Sequence, residues 1–467
     1  MKKALILAGA AFGLLFPVLL QGQEIGLLRL NPERPAFQGN TAVWGGIEEG
    51  GYRPSYAASF QWMAGADAHG VRHGKSTSWT GTLSFEQMMG FNMKSSMFLE
   101  PGYFPMDILE STAGTKSRQT CLLEGGFLTD LGYELAVGMR ASFKAAHVAK
   151  QQEIPHSSFG MDAQVEPIVT YVMDDDMGLV SSYLVRLRTE NVKANPSGDN
   201  LVFLDKGMRY GAYEDGFSAF PVRELSHGFN ELLYNPELSL GFGIVWKRGQ
   251  AGENGYNRFR FPGSTMKGFI EQAFLAEALD HVYRISYQRQ RDQLREATAE
   301  GYQSFSDRVG RTLDMKYEAR FLRGFLKSVA VDFGGDHWIE RTMLSSPVGD
   351  KIKWFDGAAT LLTSLSYGAI DLDLNVMAGR GWWQERGRGV NPEDAGNLPS
   401  RQTEDWLQNM DYRLVPRTGM GGTLTGRIPA VEGLYVQLYA YWYHALGETS
   451  LPGNNREIAT LKVGYKF

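Results

Sequence analysis

The chain has 467 residues, with 47 Lys and Arg against 52 Asp and Glu and a formal net charge of -5. Such an acidic balance argues against nucleic acid as a partner, the more so once Lys2 and Lys3 are removed with the leader proposed below. The 55 glycines and 12% aromatic residues fit strands and tight turns better than helices. A mean hydropathy of -0.28 would ordinarily mark a soluble protein. It does not exclude a membrane barrel, because polar lumen positions and apolar outer positions average out. With Cys121 as the only cysteine, no internal disulfide can form.

Met1-Lys2-Lys3 is basic, Ala4 to Leu20 is apolar, and Leu20-Gln21-Gly22 offers a small-residue cleavage site, so residues 1–22 read as a secretory signal peptide. The apolar run is short for a spanning helix, and Pro17 interrupts it. Residues 23–40, with Pro32 and Pro35, read as an irregular periplasmic or lumenal segment, and residues 41–467 as one barrel domain.

Thr41–Glu48 and Pro54–Met63 form a candidate first hairpin, weakened by Gly45-Gly46. In Trp79–Met89, Trp79, Leu83 and Phe85 share one face, and Thr80, Thr82, Ser84 and Glu86 take the other. Gly90–Arg118 contains two prolines and reads as a long loop. Thr120–Thr129 and Tyr133–Lys144 make a hairpin, the second strand alternating Tyr133, Leu135, Val137, Met139, Ala141 and Phe143 against Glu134, Arg140 and Lys144. One oily and one charged face suit a wall between lipid and water.

Gly160–Val172 and Met177–Thr189 meet at Asp174-Asp175-Asp176, and Val222–Leu233 and Leu238–Trp246 meet at Asn235-Pro236. Further strands are expected at Phe259–Phe274, Val282–Gln290, Thr312–Leu322, Phe325–Gly335, Gly357–Tyr367, Ile370–Arg380, Thr418–Ile428 and Leu434–His444. In the last stretch, Ala459, Leu461, Val463, Tyr465 and Phe467 alternate with Thr460, Lys462, Gly464 and Lys466.

Tight turns alternate with long polar segments at Gly90–Arg118, Glu190–Pro221, Arg291–Arg311, Asp336–Phe355 and Gly381–Arg417. Counting back from a periplasmic C-terminus puts every tight turn on the periplasmic side. The expected fold is therefore all-β: a transmembrane antiparallel up-and-down barrel of about 16–18 strands with short periplasmic turns and long extracellular loops.

The terminal strand resembles the closing strand of bacterial outer-membrane β-barrels, which assembly machinery reads. The pattern as a whole resembles the uncharacterised outer-membrane barrel proteins common in Bacteroidota. The resemblance implies an integral outer-membrane location, outer-membrane lipid and the barrel-assembly machinery as partners, and possible envelope uptake components. A globular plug domain and an energy-coupling box are not recognisable, in contrast to TonB-dependent receptors. Asn31-Pro32-Glu33 only loosely resembles the Asn-Pro-Ala segment of long-chain fatty-acid transporters.

No catalytic constellation emerges. Asp280-His281 and Asp336-His337 are adjacent pairs that a strand sends to opposite faces, although Asp336-His337 falls where a loop is expected. Ser226-His227 with Asn230 does not match the order of outer-membrane phospholipase. Asp174-Asp175-Asp176 lacks the spacing of a calcium loop and reads as a solvated turn. His69 and His73 align only on a helix, and Gly70 and Gly74 place them in a loop, so no metal is expected. Gly419-Met420-Gly421-Gly422 does not lead from strand to helix, and no cofactor is expected.

In Leu434–His444 the residues Tyr435, Gln437, Tyr439, Tyr441 and Tyr443 share a face and are the candidate lumen rail for sugars or other amphipathic solutes. Arg140, Lys316 and Arg320 are candidate pore-lining cations. Expected lumen charges are mixed, with Lys144, Arg186 and Arg188 among the cations and Glu166, Asp314 and Asp373 among the acids, which predicts no sharp ion selectivity. The functional expectation is a channel or transporter for small solutes. The alternative is a non-conducting accessory or binding component of an uptake or secretion assembly.

Overall fold

The computed structural model describes residues 37–132, 134–174, 177–195, 201–208, 210–343, 350–386, 400–447 and 449–467. Residues 1–22, read above as a signal peptide, residues 23–36, Tyr133, Asp175 and Asp176 lie outside the described residues.

The strands are β1 (Phe37–Gly50), β2 (Phe60–His73), β3 (Thr77–Ser96), β4 (Asp107–Gly132), β5 (Leu135–Lys150), β6 (His156–Asp174) and β7 (Met177–Ala194). A short hairpin, β8 (Val202–Asp205) and β9 (Gly211–Glu214), follows. Next come β10 (Phe217–Tyr234), β11 (Leu238–Ala251), β12 (Phe259–Phe274), β13 (Leu279–Thr298), β14 (Gly301–Phe321) and β15 (Leu326–Thr342). The remainder are β16 (Lys351–Tyr367), β17 (Ile370–Glu385), helix α1 (Ser400–Leu414), β18 (Arg417–Arg427), β19 (Leu434–Ala445) and β20 (Asn455–Lys466).

Each strand pairs antiparallel with its successor, β7 passes over the small hairpin to pair with β10, and β20 returns to β1. All strands except β8 and β9 therefore form one closed 18-strand wall. Closure runs from Asn40↔Lys466 to Gly50↔Arg456, with Gly39 and Phe467 exchanging backbone hydrogen bonds of 2.8 and 3.0 Å. Phe467 stacks on Phe37 at 5.2 Å between centroids. A Cβ on Gly39 would come within 2.1 Å of the Phe467 ring, so only glycine lets the last ring lie across the seam.

Burial is inverted relative to a water-soluble protein. Trp79, Leu83, Phe143, Ile285, Leu313, Leu461 and Tyr465 are all exposed, whereas Arg140, Glu166, Arg186, Arg188, Glu224 and Asp292 are buried. Charged side chains are almost never fully buried unless paired, and here they face a lumen in which partners are available. Contiguous exposed hydrophobes around a closed wall belong in hydrocarbon, so this is a barrel that crosses a bilayer. The sequence phases of Trp79–Met89, Thr312–Leu322 and the final strand are thus lipid-out and lumen-in, as expected.

The tight connections 74–76, 235–237, 275–278, 322–325, 368–369 and 428–433 share the end that holds Phe37 and Phe467, here the turn end. The opposite, loop end carries 51–59, 97–106, 195–216 and 386–416. The tight turns expected on one side do share the turn end, but the loop end also holds short connections, 151–155 and 299–300, and several loops are shorter than expected. Gly90–Arg118 contains only ten loop residues (97–106), and Arg291–Arg311 is no loop, because β13 and β14 are joined across 299–300. Asp336–His337 lies within β15, and His69 and His73 lie within β2. β1 begins at Phe37, inside the stretch read as irregular, and Pro54 belongs to a connection. The cause is the same for the overlong loops: beyond the lipid, both faces of a strand are wet, so apolar alternation stops while the hydrogen-bonded ladder continues.

Candidate functional site: the lumen

The lumen is divided. At the loop end, residues 97–106 fold inward as a strap. Met97, Phe98, Tyr103, Phe104 and Met106 are all buried, and they pack with Val202 and Leu204 of β8 and with Phe220, Phe259 and Phe261 of the wall. A loop carrying that much apolar surface gains more by filling the barrel than by facing water. Arg308 of β14 fixes it: its guanidinium donates to the backbone carbonyls of Gly102 (3.1 Å), Phe104 (2.7 Å) and Tyr103, and it lies 3.4 Å from Asp292. Because the strap starts on β3 and ends on β4, this anchor spans the bore.

Two strap side chains complete the clamp. Glu100 accepts from Lys144 and Arg188, each at 2.8 Å. Burial opposes ionisation of Glu100, but Arg188 and Lys144 outweigh it and hold the carboxyl down at about 2. Tyr103 donates to Glu224 at 2.7 Å, and Arg188 sits over its ring at 3.8 Å. Burial pushes the Tyr103 hydroxyl up to about 12 despite Arg186 nearby.

The second inward piece is α1. Gln408 donates to the Arg53 carbonyl at 3.0 Å, Asn409 accepts from the Ser55 amide at 2.7 Å, and Lys94 pairs with Asp405. Trp406 stacks on Trp383, while Met410 and Leu414 pack with Trp354. Arg417 ties the helix end to the wall, donating to the Arg413 carbonyl at 2.6 Å and to Asp356 at 2.7 and 2.9 Å. Burial pushes the Tyr412 hydroxyl up to about 12.

Below α1, toward the turn end, the inward faces of β16 and β17 are half-exposed. The candidate tyrosines border this region. Tyr439 lies 6.4 Å from Tyr441, Tyr441 4.3 Å from Tyr443, Tyr443 6.3 Å from Tyr52 and Tyr52 4.8 Å from Tyr412. Together they form an aromatic ladder that climbs from mid-wall to α1. The rings lie flat over glycines: a Cβ on Gly421 would meet Tyr441 at 2.5 Å, and one on Gly464 would meet Tyr435 at 2.3 Å. Tyr435 donates to Asn40 at 3.0 Å, and Gln437 donates to Thr425 at 3.1 Å. The Tyr439 hydroxyl is buried with no hydrogen-bond partner among the described residues.

The candidate cations are spread out and paired. Arg140 meets Glu124 at 3.0 Å and lies 3.9 Å from Glu166 in the packed half. Lys316 and Arg320 share Glu318 at 3.0 and 3.1 Å near the turn end. The structure therefore does not gather these three with the tyrosine row. Arg308, Glu100 and Tyr103 were not foreseen. Arg308 continues the inward phase of Asp314 and Lys316, and the oily 97–106 segment inside a presumed loop was the other available signal.

The Asp-His pairs are split by the wall: Asp336 accepts from Thr312 at 2.7 Å in the lumen, while on the outside His281 meets the Tyr317 hydroxyl at 2.9 Å. Ser226 and Asn230 are buried inward, whereas His227 turns outward to Tyr183 at 3.0 Å. His69 and His73 share a face but bond separately to Thr82 and Ser78, and four strand residues separate them by about 13 Å. No cluster of three metal-ligating side chains occurs among the described residues.

No protein-family model and no curated protein matches the chain. Among solved structures, CdiB from Acinetobacter baumannii is similar with a TM-score of 0.40 at 9% identity over 93% of this chain, which spans only 60% of the CdiB chain. The FrpB iron transporter from Neisseria meningitidis gives 0.46 at 8% identity, covering 96% of this chain and 83% of that one. The siderophore receptor PiuA from Acinetobacter baumannii gives 0.40 at 8% identity, covering 93% and 82%. Likeness at this level concerns barrel architecture and says nothing of ligand.

Proposed function

We propose that the chain is an outer-membrane channel or transporter for small solutes, with the turn end periplasmic and passage controlled by the strap at 97–106. The observation that carries this reading is the division of the lumen. The loop end is closed by pieces held through polar and ionic contacts, while the inward face of β16 and β17 below α1 is half-exposed and polar. A bore meant only to be filled has no need of that face. The stacked rings of Tyr439, Tyr441 and Tyr443 along the border of that face support contact with a polar or sugar-like solute.

In this reading Tyr435, Gln437, Tyr439, Tyr441 and Tyr443 form the rail, and Arg140, Lys316 and Arg320 are wall cations of secondary weight. The kinship with Bacteroidota barrels, delivery by assembly machinery and work alongside envelope uptake components belong to the same proposal. The second reading, a non-conducting accessory protein, is favoured by one observation: Arg308 holds the strap through three backbone carbonyls, a firm closure. Planar-bilayer recordings of the purified protein separate them. Conductance steps that grow in Arg308→Ala and change in Tyr439→Ala support the channel, and silence in both wild type and Arg308→Ala overturns it.

A further inference from the structure

The outer wall changes character abruptly at the loop end of one sector. On β14 the outward positions run Phe321, Ala319, Tyr317, Met315, Leu313 and then Arg311; on β13 they run Tyr283, Ile285, Tyr287 and then Arg289 and Arg291. Leu313 and Tyr287 are 43% and 41% exposed, so the apolar belt gives way to arginine in a single outward step. The stretch from Leu313 to Phe321 covers about 27 Å of strand at about 3.4 Å per residue. At a tilt of about 40° that is about 20 Å of bilayer, which places the first arginines at headgroup level.

Register concentrates the charge. Arg289 stands opposite Arg311, Arg260 opposite Arg295, and Arg341 opposite Lys351. Like charges facing each other across strands are destabilising, so three such pairs in one outer sector are unfavourable unless an anion joins them. The carboxylates at hand are few: Asp307 serves Arg291 at 2.9 Å and Arg341 at 3.9 Å, and Glu385 serves Lys351 at 2.6 Å. Among the described residues no carboxylate pairs with Arg289 or Arg311. The opposite wall reverses the sign, for at the same step beyond Ile47 and Ala459 it sets Glu49 opposite Glu457.

We propose that the outer rim of β12–β16 binds the phosphate groups of membrane lipid, and specifically a phosphorylated glycolipid of the lipid A type in the leaflet at the loop end. Arginine forks match phosphate oxygens in pairs, and adjacent strands about 4.8 Å apart bring two guanidiniums to one phosphate. The apolar belt immediately beneath receives the acyl chains, so the same molecule satisfies both surfaces; a soluble anion would use only one. The proposal rests on the membrane-barrel reading above.

The test adds diphosphorylated lipid A, or lipid A stripped of its phosphates, to the full-length protein in neutral detergent and follows retention by native mass spectrometry and the unfolding temperature. Retention of the phosphorylated form alone is expected. In the Arg289→Gln/Arg311→Gln double variant its affinity falls about 30-fold, in the double Lys variant most of it remains, and Glu49→Gln changes nothing. Equal binding of both lipids, an unchanged double variant, or full displacement by millimolar inorganic phosphate overturns the lipid assignment. A protein that folds and stays monodisperse without detergent overturns the membrane reading instead, so the two failures are distinguishable.

Discussion

The inward faces of β10 and β16 belong to one lumen and live in different surroundings. On β10 every inward position from Val222 to Tyr234 is buried: Glu224 accepts from Tyr103 and Ser226, and Asn230 donates to Glu166. On β16 the inward Ala358, Thr360, Leu362, Ser364 and Ser366 are half-exposed, and Ser364 and Ser366 each bond across to the next strand at 2.6 Å. On β10 Glu224, Asn230, Leu232 and Tyr234 interlock with neighbouring side chains, while the inward residues of β16 other than Leu362 are short. What separates them is which inward element each faces: the strap and β8 cover the upper part of the first, and α1 covers only the loop-end part of the second. A barrel wall sets where side chains point, and the inserted loops decide which of them stay wet.

Dismantling the packed side is the severest test of that contrast. Arg308→Ala removes the donor to three strap carbonyls and leaves Asp292 with Lys247, at 2.9 Å, as its remaining cation among the described residues, beside the Gln290 amide. Breaking a buried charged pair of this kind costs roughly 3 kcal/mol or more. The strap should become open to limited proteolysis at 97–106 while the α1 contacts survive; equal resistance in wild type and variant sinks the view that Arg308 holds it. The wet side answers to a smaller change. In Gly421→Ala the new methyl would come within 2.4 Å of the Ala440 carbonyl and 2.5 Å of the Tyr441 ring, so the tyrosine ladder has to move. Overpacking of this sort costs about 1–3 kcal/mol. The unfolding midpoint should fall while strap proteolysis stays unchanged, and a strap that opens as well would show that the two halves are not independent.

This division also marks how far the sequence could be read. The lipid-spanning turns of strand were legible because Leu313, Met315 and Tyr317 alternate with Asp314, Lys316 and Glu318. The extensions of β13 and β14 were not, because Arg291 and Arg295, beyond the expected end at Gln290, sit where lipid meets water and alternate charge with polarity. The tyrosine row shares one face of β19, yet its rings lie over Gly421 and Gly464, a pairing across strands that no single-strand pattern contains. The strap was hidden for a related reason: its clamp draws on Lys144, Arg188, Glu224 and Arg308 from four strands, and only closure of the wall brings those strands around one point.

The gentlest way to probe the contrast is to change pH without changing the chain. Glu100 is held at about 2 in the docked strap, against an ordinary value of 4.5. A carboxyl whose value is depressed by docking stabilises the docked form fully above the ordinary value, and that contribution drains away as pH falls from there toward the depressed one. Between neutral pH and about 5, strap proteolysis or conductance should therefore be flat. Below about 4.5 the strap should loosen progressively as Lys144 and Arg188 lose their shared anion, while the tyrosine ladder, which holds no carboxylate, keeps its packing. Glu100→Gln should remove this acid-dependent component and leave the strap weaker at neutral pH by the same mechanism. If the variant keeps the wild-type acid profile, loosening comes from another carboxylate on the strap's surroundings, and Glu100 is merely a buried partner of its two cations.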